Sequence, residues 1–174
     1  MPVPTELNDV LSVAHPGGDA LAELHAWLKA RTVAANDWVE VSWRGWGRGQ
    51  NFNLAGVVFT DGTTFGAGAQ VGFWYSPNQA FVTLANHTNF STTGTSSTFG
   101  VQNESPAHDV FLRLVYLGSN TWRGLVSCDG VSYINVTGDL TRTLTPTHAG
   151  FFVSTWGGSA PYIFSFRYCR FGNG

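Results

Sequence analysis

The sequence has few charged residues and very few cysteines. Asp, Glu, Lys and Arg make up 11% of its 174 residues, whereas hydrophobic residues make up 43%. A chain with that much apolar material can build a core, so its low charge does not indicate disorder. Two cysteines cannot form the disulfide framework of a small secreted domain. Cys128 and Cys169 both fall in predicted strands and could be neighbours, but two buried free thiols are expected.

The sequence also lacks an excess of one charge and a long apolar run. The formal net charge is −2 and there is no basic stripe, which argues against nucleic acid as a partner. No segment approaches the length of a transmembrane helix, so no membrane insertion is expected. Residues 1–4 lack the basic and apolar regions of a signal peptide, so no secretory leader is expected.

Motifs for catalysis and for metal or cofactor binding are absent. There is no G-x-S-x-G elbow for a nucleophilic serine, and the histidines form no closely spaced pair that could hold a metal. Glycoside hydrolysis needs two carboxylates on one face, roughly 5–10 Å apart. Asp37 and Glu40 are predicted on opposite faces of one strand, and Asp61 and Asp129 lie in turns beside glycine. We therefore expect no catalytic residue, no metal and no cofactor.

The segment 110–136 predicts three antiparallel strands joined by short turns. Leu112 and Leu114 occupy alternate positions, which is the period of a strand. Gly118-Ser119-Asn120 is turn chemistry, and Asp129-Gly130 suits a reversal in which Gly130 has positive φ. From Asp37 onward further short strands alternate with turn residues, and the Ser- and Thr-rich segment 86–100 is interpreted as a loop. This pattern predicts an antiparallel β-sandwich.

Three stretches carry a resemblance to a known fold family. The stretch LRLVYLGSNTWRGLVSCDGVSY resembles the hairpin of concanavalin A-like jelly-roll domains of the laminin-G and glucanase type. Leu54–Gly62 is similar to an early strand of those domains, and Gly150–Phe171 is similar to their last two strands. The resemblance covers residues 37–174. It implies a mainly β, antiparallel jelly-roll sandwich with carbohydrate binding as its expected activity.

Residues 1–36 are predicted to form a separate, short α-helical arm. Asp19 can cap a helix over residues 20–34 that is rich in Ala, Leu, Glu and Lys. Leu21, Leu24 and Leu28 form a narrow apolar stripe with Trp27 beside it. The stripe could pack on the sandwich or in a small bundle with its copies, and both interpretations stay open. If the arm serves attachment, the sandwich should stay folded without residues 1–35.

The N-terminal phrase LNDVLSVAHPGGDALAELHAWL resembles the leader of tail and minor structural proteins in phages of actinobacteria. This resemblance implies a virion surface protein, made in the host cytoplasm, that acts as a capsid decoration or minor tail protein. It implies other capsid or tail proteins as partners, bound through the arm. A homotrimer is a further possibility under this interpretation.

Aromatic residues beside turns and arginines are the candidate sugar-binding residues. The C–H faces of a sugar stack on aromatic rings, while its hydroxyls need hydrogen bonds. Packing in the core is the alternative role for each ring. The candidates are Arg44, Trp46, Arg48, Trp74, Tyr75 and Trp156.

These features together predict a non-catalytic virion surface protein whose lectin-like sandwich binds carbohydrate. The alternative is a glycan-processing enzyme, or a carbohydrate-binding module of a polysaccharide system. A pair of carboxylates that face each other in a cleft would favour the enzyme, because fold alone does not decide function.

Overall fold

The computed structural model of the chain describes residues 4–7, 10–15, 24–45, 53–62, 69–76, 79–89, 92–101, 109–154 and 162–174. All regular secondary structure in these residues is β-strand. No helix long and apolar enough to cross a membrane occurs among them. The strands are β1 (Pro4–Leu7), β2 (Val10–His15), β3 (Leu24–Ala30), β4 (Asp37–Gly45), β5 (Asn53–Thr60), β6 (Ala69–Ser76), β7 (Gln79–Asn89), β8 (Thr92–Val101), β9 (Val110–Gly118), β10 (Thr121–Ser127), β11 (Ile134–Thr141), β12 (His148–Ser154) and β13 (Tyr162–Asn173).

The strands form two antiparallel sheets that pack face to face. One sheet has seven strands in the order β1-β2-β13-β4-β9-β10-β11, and the other has six in the order β3-β12-β5-β6-β7-β8. Strands distant in sequence lie side by side, as β13 does with β4. The predicted antiparallel jelly-roll sandwich is therefore confirmed.

The core lies between the sheets and follows the alternation of the strands. Leu112 and Leu114 of β9 are fully buried, as is Trp122 of β10. The ring of Trp122 lies 5.4 Å from that of Phe59 in the other sheet and 4.6 Å from that of Tyr116. The contact with Phe59 joins β10 to the opposite sheet, and the predicted meander forms one side of the seven-stranded sheet, with β11 at its edge.

The predicted helix over residues 20–34 is wrong wherever the structure describes that range. Residues 24–30 form β3, which pairs along its whole length with β12, and residues 31–34 have no regular structure. Helix propensity is a weak local preference, whereas β3 gains a full ladder of hydrogen bonds and a place at the core. β1 and β2 are also extended, and β2 pairs with β13 in the seven-stranded sheet.

The three described residues among the four predicted to serve attachment lie in the strand β3 and not on a helical stripe. Trp27 is half-buried, and its ring stacks on Phe151 with centroids 5.0 Å apart. Leu28, its neighbour in the strand, is 38% exposed. Leu21 lies outside the described residues, and Leu24 pairs through its backbone with Ser154 at the start of β3.

Three local expectations are settled by the described strands and turns. Gly130 has the predicted positive φ, at 74°. The segment interpreted as a polar loop instead contains β8, because its threonines suit a strand. Both thiols are free. Cys128 is exposed and lies just beyond the end of β10 at Ser127. Burial raises the pKa of the Cys169 thiol to about 12.

Deleting residues 1–35 is predicted to unfold or aggregate the protein, in contrast to the expectation from a helical arm. The deletion removes β1 to β3, leaves an edge of β12 without its partner and takes Trp27 from Phe151. Thermal unfolding and size-exclusion chromatography would measure the effect, with a variant lacking only residues 1–3 as control. A deletion variant that melts at the full-length temperature would contradict this prediction.

Gly130→Ala is predicted to lower the free energy of unfolding by about 1–3 kcal/mol, because an L-residue is strained at this φ. A Cβ at this position would also lie 3.1 Å from the ring of Phe111. Gly138 is the matched control, since its φ is 72° and a Cβ there would meet nothing within 4 Å. Urea unfolding should therefore show a larger loss for Gly130→Ala than for Gly138→Ala. Equal losses in the free energy of unfolding would contradict this prediction, because they would mean that the Phe111 ring moves away from the new Cβ at no energetic cost.

Candidate functional site

A buried carboxylate organises the outer face of the seven-stranded sheet. Glu40 lies in β4 between Val39 and Val41, which point into the core, so its own side chain points to the other face. In the register of the sheet, Arg170 of β13 and Arg113 of β9 lie directly opposite Glu40 on its two sides. Although it faces outward, Glu40 is fully buried. We call Glu40, Trp38, Arg113, Tyr133, Tyr168 and Arg170 the Glu40 cluster.

Both oxygens of Glu40 accept several hydrogen bonds. Oε2 accepts from Arg113 through Nε at 2.8 Å and Nη2 at 2.7 Å, and from the Tyr133 hydroxyl at 2.5 Å. Oε1 accepts from Arg170 through Nε at 2.7 Å and Nη2 at 2.6 Å, and from the Tyr168 hydroxyl at 3.0 Å. Charge-assisted bonds of this kind, in which two nitrogens of one guanidinium group contact the same carboxylate oxygen, compensate the cost of burying a carboxylate.

Aromatic rings hold the two guanidinium groups in place. The Arg113 guanidinium carbon lies 4.2 Å from the Trp38 ring centroid and 3.9 Å from that of Tyr133. The Arg170 guanidinium carbon lies 4.8 Å from the Tyr168 ring and 5.8 Å from the Trp38 ring. Cation–π contacts of this kind are favourable and fix the planes of the guanidinium groups.

The cluster carries a net charge of about +1. Burial and the hydrogen bond to Glu40 raise the pKa of both Tyr133 and Tyr168, so the two hydroxyls stay neutral at physiological pH. Two guanidinium groups then face one carboxylate. Because every oxygen lone-pair direction of Glu40 is already used, the carboxylate is poorly suited to take a proton from a substrate.

A β-bulge in β13 brings two members of the cluster to this face. Phe166 pairs with Trp43 and points into the core, and Tyr168 pairs with the next residue, Ser42, so Arg167 is the extra residue. Without the bulge, strand alternation would direct Tyr168 and Arg170 toward the core. The cluster could not be predicted from the sequence, because this change of phase leaves no clear mark in it.

Three other described carboxylates, those of Asp109, Asp129 and Asp139, are bound to arginines or backbone amides. Asp139 accepts two hydrogen bonds of 2.7 Å from Arg123. Asp109 lies 2.7 Å from Arg167. Asp129 accepts from the backbone amides of the loop that follows it, and these bonds lower its pKa. In the part of the chain that the structure describes, no group of His, Cys, Asp or Glu side chains could hold a metal ion.

An apolar cleft of about 290 Å³ opens between β3, β12 and the end of β13. It contains Trp27 and Leu28, two of the residues predicted to serve attachment. Lys29 is its single charged lining residue, so the cleft offers few groups for the hydroxyls of a sugar. The full lining is Trp27, Leu28, Lys29, Gly150, Phe151, Cys169 and Phe171.

The predicted sugar-binding residues lie near strand ends at one end of the sandwich, either in the last residues of β4 and β6 or in the segments that follow β4 and β12 in the sequence. Gly45, the last residue of β4, pairs with Phe164 near the start of β13. Leu54 near the start of β5 pairs with Ser154, where β12 ends, and with Trp74 near the end of β6. These strand ends bound the segments 46–52, 77–78 and 155–161, and we call this end of the sandwich the loop end.

The individual candidates are only partly within the described structure. Trp46, Arg48 and Trp156 lie outside the described residues, in the segments that the loop end bounds. Arg44 and Trp74-Tyr75 lie in β4 and β6, where the backbone pairing is described. The role of all six candidates in sugar binding therefore stays a prediction, although β4 and β6 do end at the loop end.

Comparisons with known proteins identify the fold. No protein-family model and no curated protein matches the chain. A legume lectin-like domain from Entamoeba histolytica matches with a TM-score of 0.72 and 8% identity, over 99% of this chain and 88% of that one. The chain has the concanavalin A-like fold.

Two further solved structures have the same sandwich. A prokaryotic β-1,3-1,4-glucanase (lichenase) derived from a mouse hindgut metagenome matches with a TM-score of 0.65 and 7% identity, over 98% of this chain and 83% of that one. The exoplasmic/lumenal domain of VIP36, in its Ca2+/Man3GlcNAc-bound form, matches with a TM-score of 0.63 and 12% identity, over 99% of this chain and 82% of that one. At such identities the likeness establishes the fold alone.

Glu40→Gln is predicted to lower the free energy of unfolding by about 3–5 kcal/mol, because two guanidinium groups lose their buried counter-charge. Asp139→Asn is the matched control. The pair of Asp139 and Arg123 is exposed, with 36% and 40% of their side chains accessible, so its loss should cost about 0–1 kcal/mol. Urea unfolding at neutral pH compares the two variants. Similar losses would contradict a stabilising role for the Glu40 cluster.

Proposed function

We propose that the protein is a non-catalytic carbohydrate-binding protein whose sugar site lies at the loop end. The observation that carries the proposal is the convergence of the ends of β4, β6 and β12, next to which Trp46, Trp74 and Trp156 stand in the sequence. Loops at one end of a rigid sandwich are a common place for recognition, since the sheets fix their anchor points.

The chemistry of these segments suits a sugar ligand. Their tryptophans offer ring faces for C–H stacking, and Arg44 and Arg48 offer donors for hydroxyl groups. The fold supports the proposal, because the matching structures include a lectin-like domain and a domain solved with Man3GlcNAc. The apolar cleft beside Trp27 is a weaker candidate for sugar binding, because only Lys29 provides a charged donor there.

The absence of catalysis is part of the proposal. Among the described carboxylates, Glu40 is saturated by hydrogen bonds, and Asp109 and Asp139 are paired with arginines. These pairings support a binding role, because a glycosidase needs one carboxyl group that can give up a proton and a second facing it. The alternative is a glycan-processing enzyme, and the likeness to a lichenase keeps it open.

The location on a phage virion stays a prediction based on the N-terminal phrase. The helix that was to attach the protein to capsid or tail proteins is a strand, β3, within the sandwich. Any attachment or trimer contact in this region would therefore use a strand edge and the exposed side of Leu28. A size measurement of the purified protein tests the trimer, and imaging of assembled particles tests the location.

Binding to a glycan array should be detectable and should weaken on the order of tenfold in Trp46→Ala or Trp156→Ala, because a stacking ring is lost. Arg48→Ala should weaken binding as well. Its matched control is Arg123→Ala, which removes an exposed arginine from β10. Unchanged binding in every loop-end variant would place the site elsewhere.

The same glycans should remain intact during prolonged incubation with the protein, because in the described part of the chain Glu40, Asp109 and Asp139 are each bound to arginine. Chromatography of the products measures this directly. Turnover of any of these glycans would favour the enzyme instead.

A further inference from the structure

Arg170, which shares the Glu40 carboxylate with Arg113, is partly exposed at the surface of the Glu40 cluster. Arg170 has 46% of its side chain accessible, whereas Arg113 has 19% and Glu40 none. One buried carboxylate serves both guanidinium groups, so the accessible surface of the cluster carries the excess positive charge. The neighbouring ion pairs on this sheet, Arg123 with Asp139 and Arg167 with Asp109, are each neutral.

Arg170 retains hydrogen-bond donors for a ligand. A guanidinium group has five N–H donors. Arg170 contacts Glu40 through Nε at 2.7 Å and Nη2 at 2.6 Å, so the carboxylate does not use all five donors. Side-on binding through Nε leaves the terminal edge of the guanidinium group, whose two nitrogens match the spacing of a carboxylate.

The position of Arg170 is fixed before any ligand arrives. Its guanidinium lies against the rings of Tyr168 and Trp38, and Glu40 holds its inner edge. A ligand would therefore pay little of the entropy that ordering a free arginine costs. Half-buried aromatic residues beside it, Tyr168 and Trp38, add apolar surface for the ring of a sugar.

We propose that the Glu40 cluster binds the carboxylate of an acidic sugar, with Arg170 as the contacting residue. A single excess positive charge suits a monovalent anion, and the planar fork of arginine suits a carboxylate. The identification of the ligand as a sugar rests on the proposed function. The carboxylate preference rests on the geometry of the cluster alone.

The test uses the full-length protein and two ligands that differ only in the carboxylate, methyl glucuronide and methyl glucoside. Calorimetry should detect the glucuronide and not the glucoside at the same concentration. Arg170→Gln should weaken glucuronide binding about tenfold, because a charge-assisted bidentate contact is lost. Arg167→Gln is the matched control, since it removes an exposed arginine three residues away in the same strand, and it should change affinity by less than about twofold.

A second readout needs no substitution, which matters if Arg170→Gln fails to fold. The Nε–H groups of Arg113 and Arg170 are hydrogen-bonded to Glu40 and so exchange slowly enough for nitrogen NMR. Titration of wild-type protein with the glucuronide should shift the Arg170 signal more than that of Arg113. Unshifted signals, or equal losses in Arg167→Gln and Arg170→Gln, would overturn the proposal.

The ligand series separates this inference from the proposed function. Binding of neutral glycans without any preference for the glucuronide would overturn the inference and leave the proposed function standing. Acetate that binds as well as the glucuronide would overturn the assignment to a sugar acid. Glucuronide binding that depends on Arg170 but survives loss of Trp46 and Trp156 would support the inference and place the site away from the loop end.

Discussion

The interaction on which the rest of the structure depends is the burial of the Glu40 carboxylate on the outer face of the seven-stranded sheet. An unpaired charge in that position would be strongly destabilising, so its partners must be in place whenever the sheet is formed. Those partners come from β9, from β13 and from the loop that holds Tyr133. A slip of one residue in β4 would turn Glu40 into the core and Val39 or Val41 out of it. The cluster therefore selects the register as well as stabilising the sheet.

The bulge at Arg167 reconciles two demands on one strand. The first half of β13 must give Phe164 and Phe166 to the core, and both are fully buried. The second half must place Arg170 beside Glu40 on the other face of the sheet. A regular alternation of side chains from Phe166 would direct Arg170 into the core instead. After the bulge, Cys169 and Phe171 face inward and line the apolar cleft beside β3. The one extra residue, Arg167, thus sets the positions of residues in both the Glu40 cluster and the apolar cleft.

The sequence predicted what depends on local pattern and composition. The alternation in β9 and β10, the positive φ of Gly130 and the jelly-roll sandwich are all confirmed. The helix over residues 20–34 was wrong because its residues favour a helix in isolation, while their strand gains a ladder with β12 that only the folded chain provides. The Glu40 cluster joins residues 40, 113, 133, 168 and 170, and no local rule brings positions so distant together. The sugar-binding candidates were chosen by residue type, and the topology alone reveals that their segments share one end.

The cluster and the loop end are connected by the loop between β10 and β11. This loop begins after Ser127 and returns to the sheet through Tyr133. Ser127 pairs with Phe111, near the start of β9, which lies beside the strand ends that define the loop end. Asp129 binds the amides within the loop, and the Tyr133 hydroxyl fastens it to Glu40. A described part of the loop end is therefore held by the same carboxylate that orients Arg170. Anchoring of this kind would lower the ordering cost of binding at either of the two proposed sites, so the stability of the sheet and the positioning of these surfaces have one physical source.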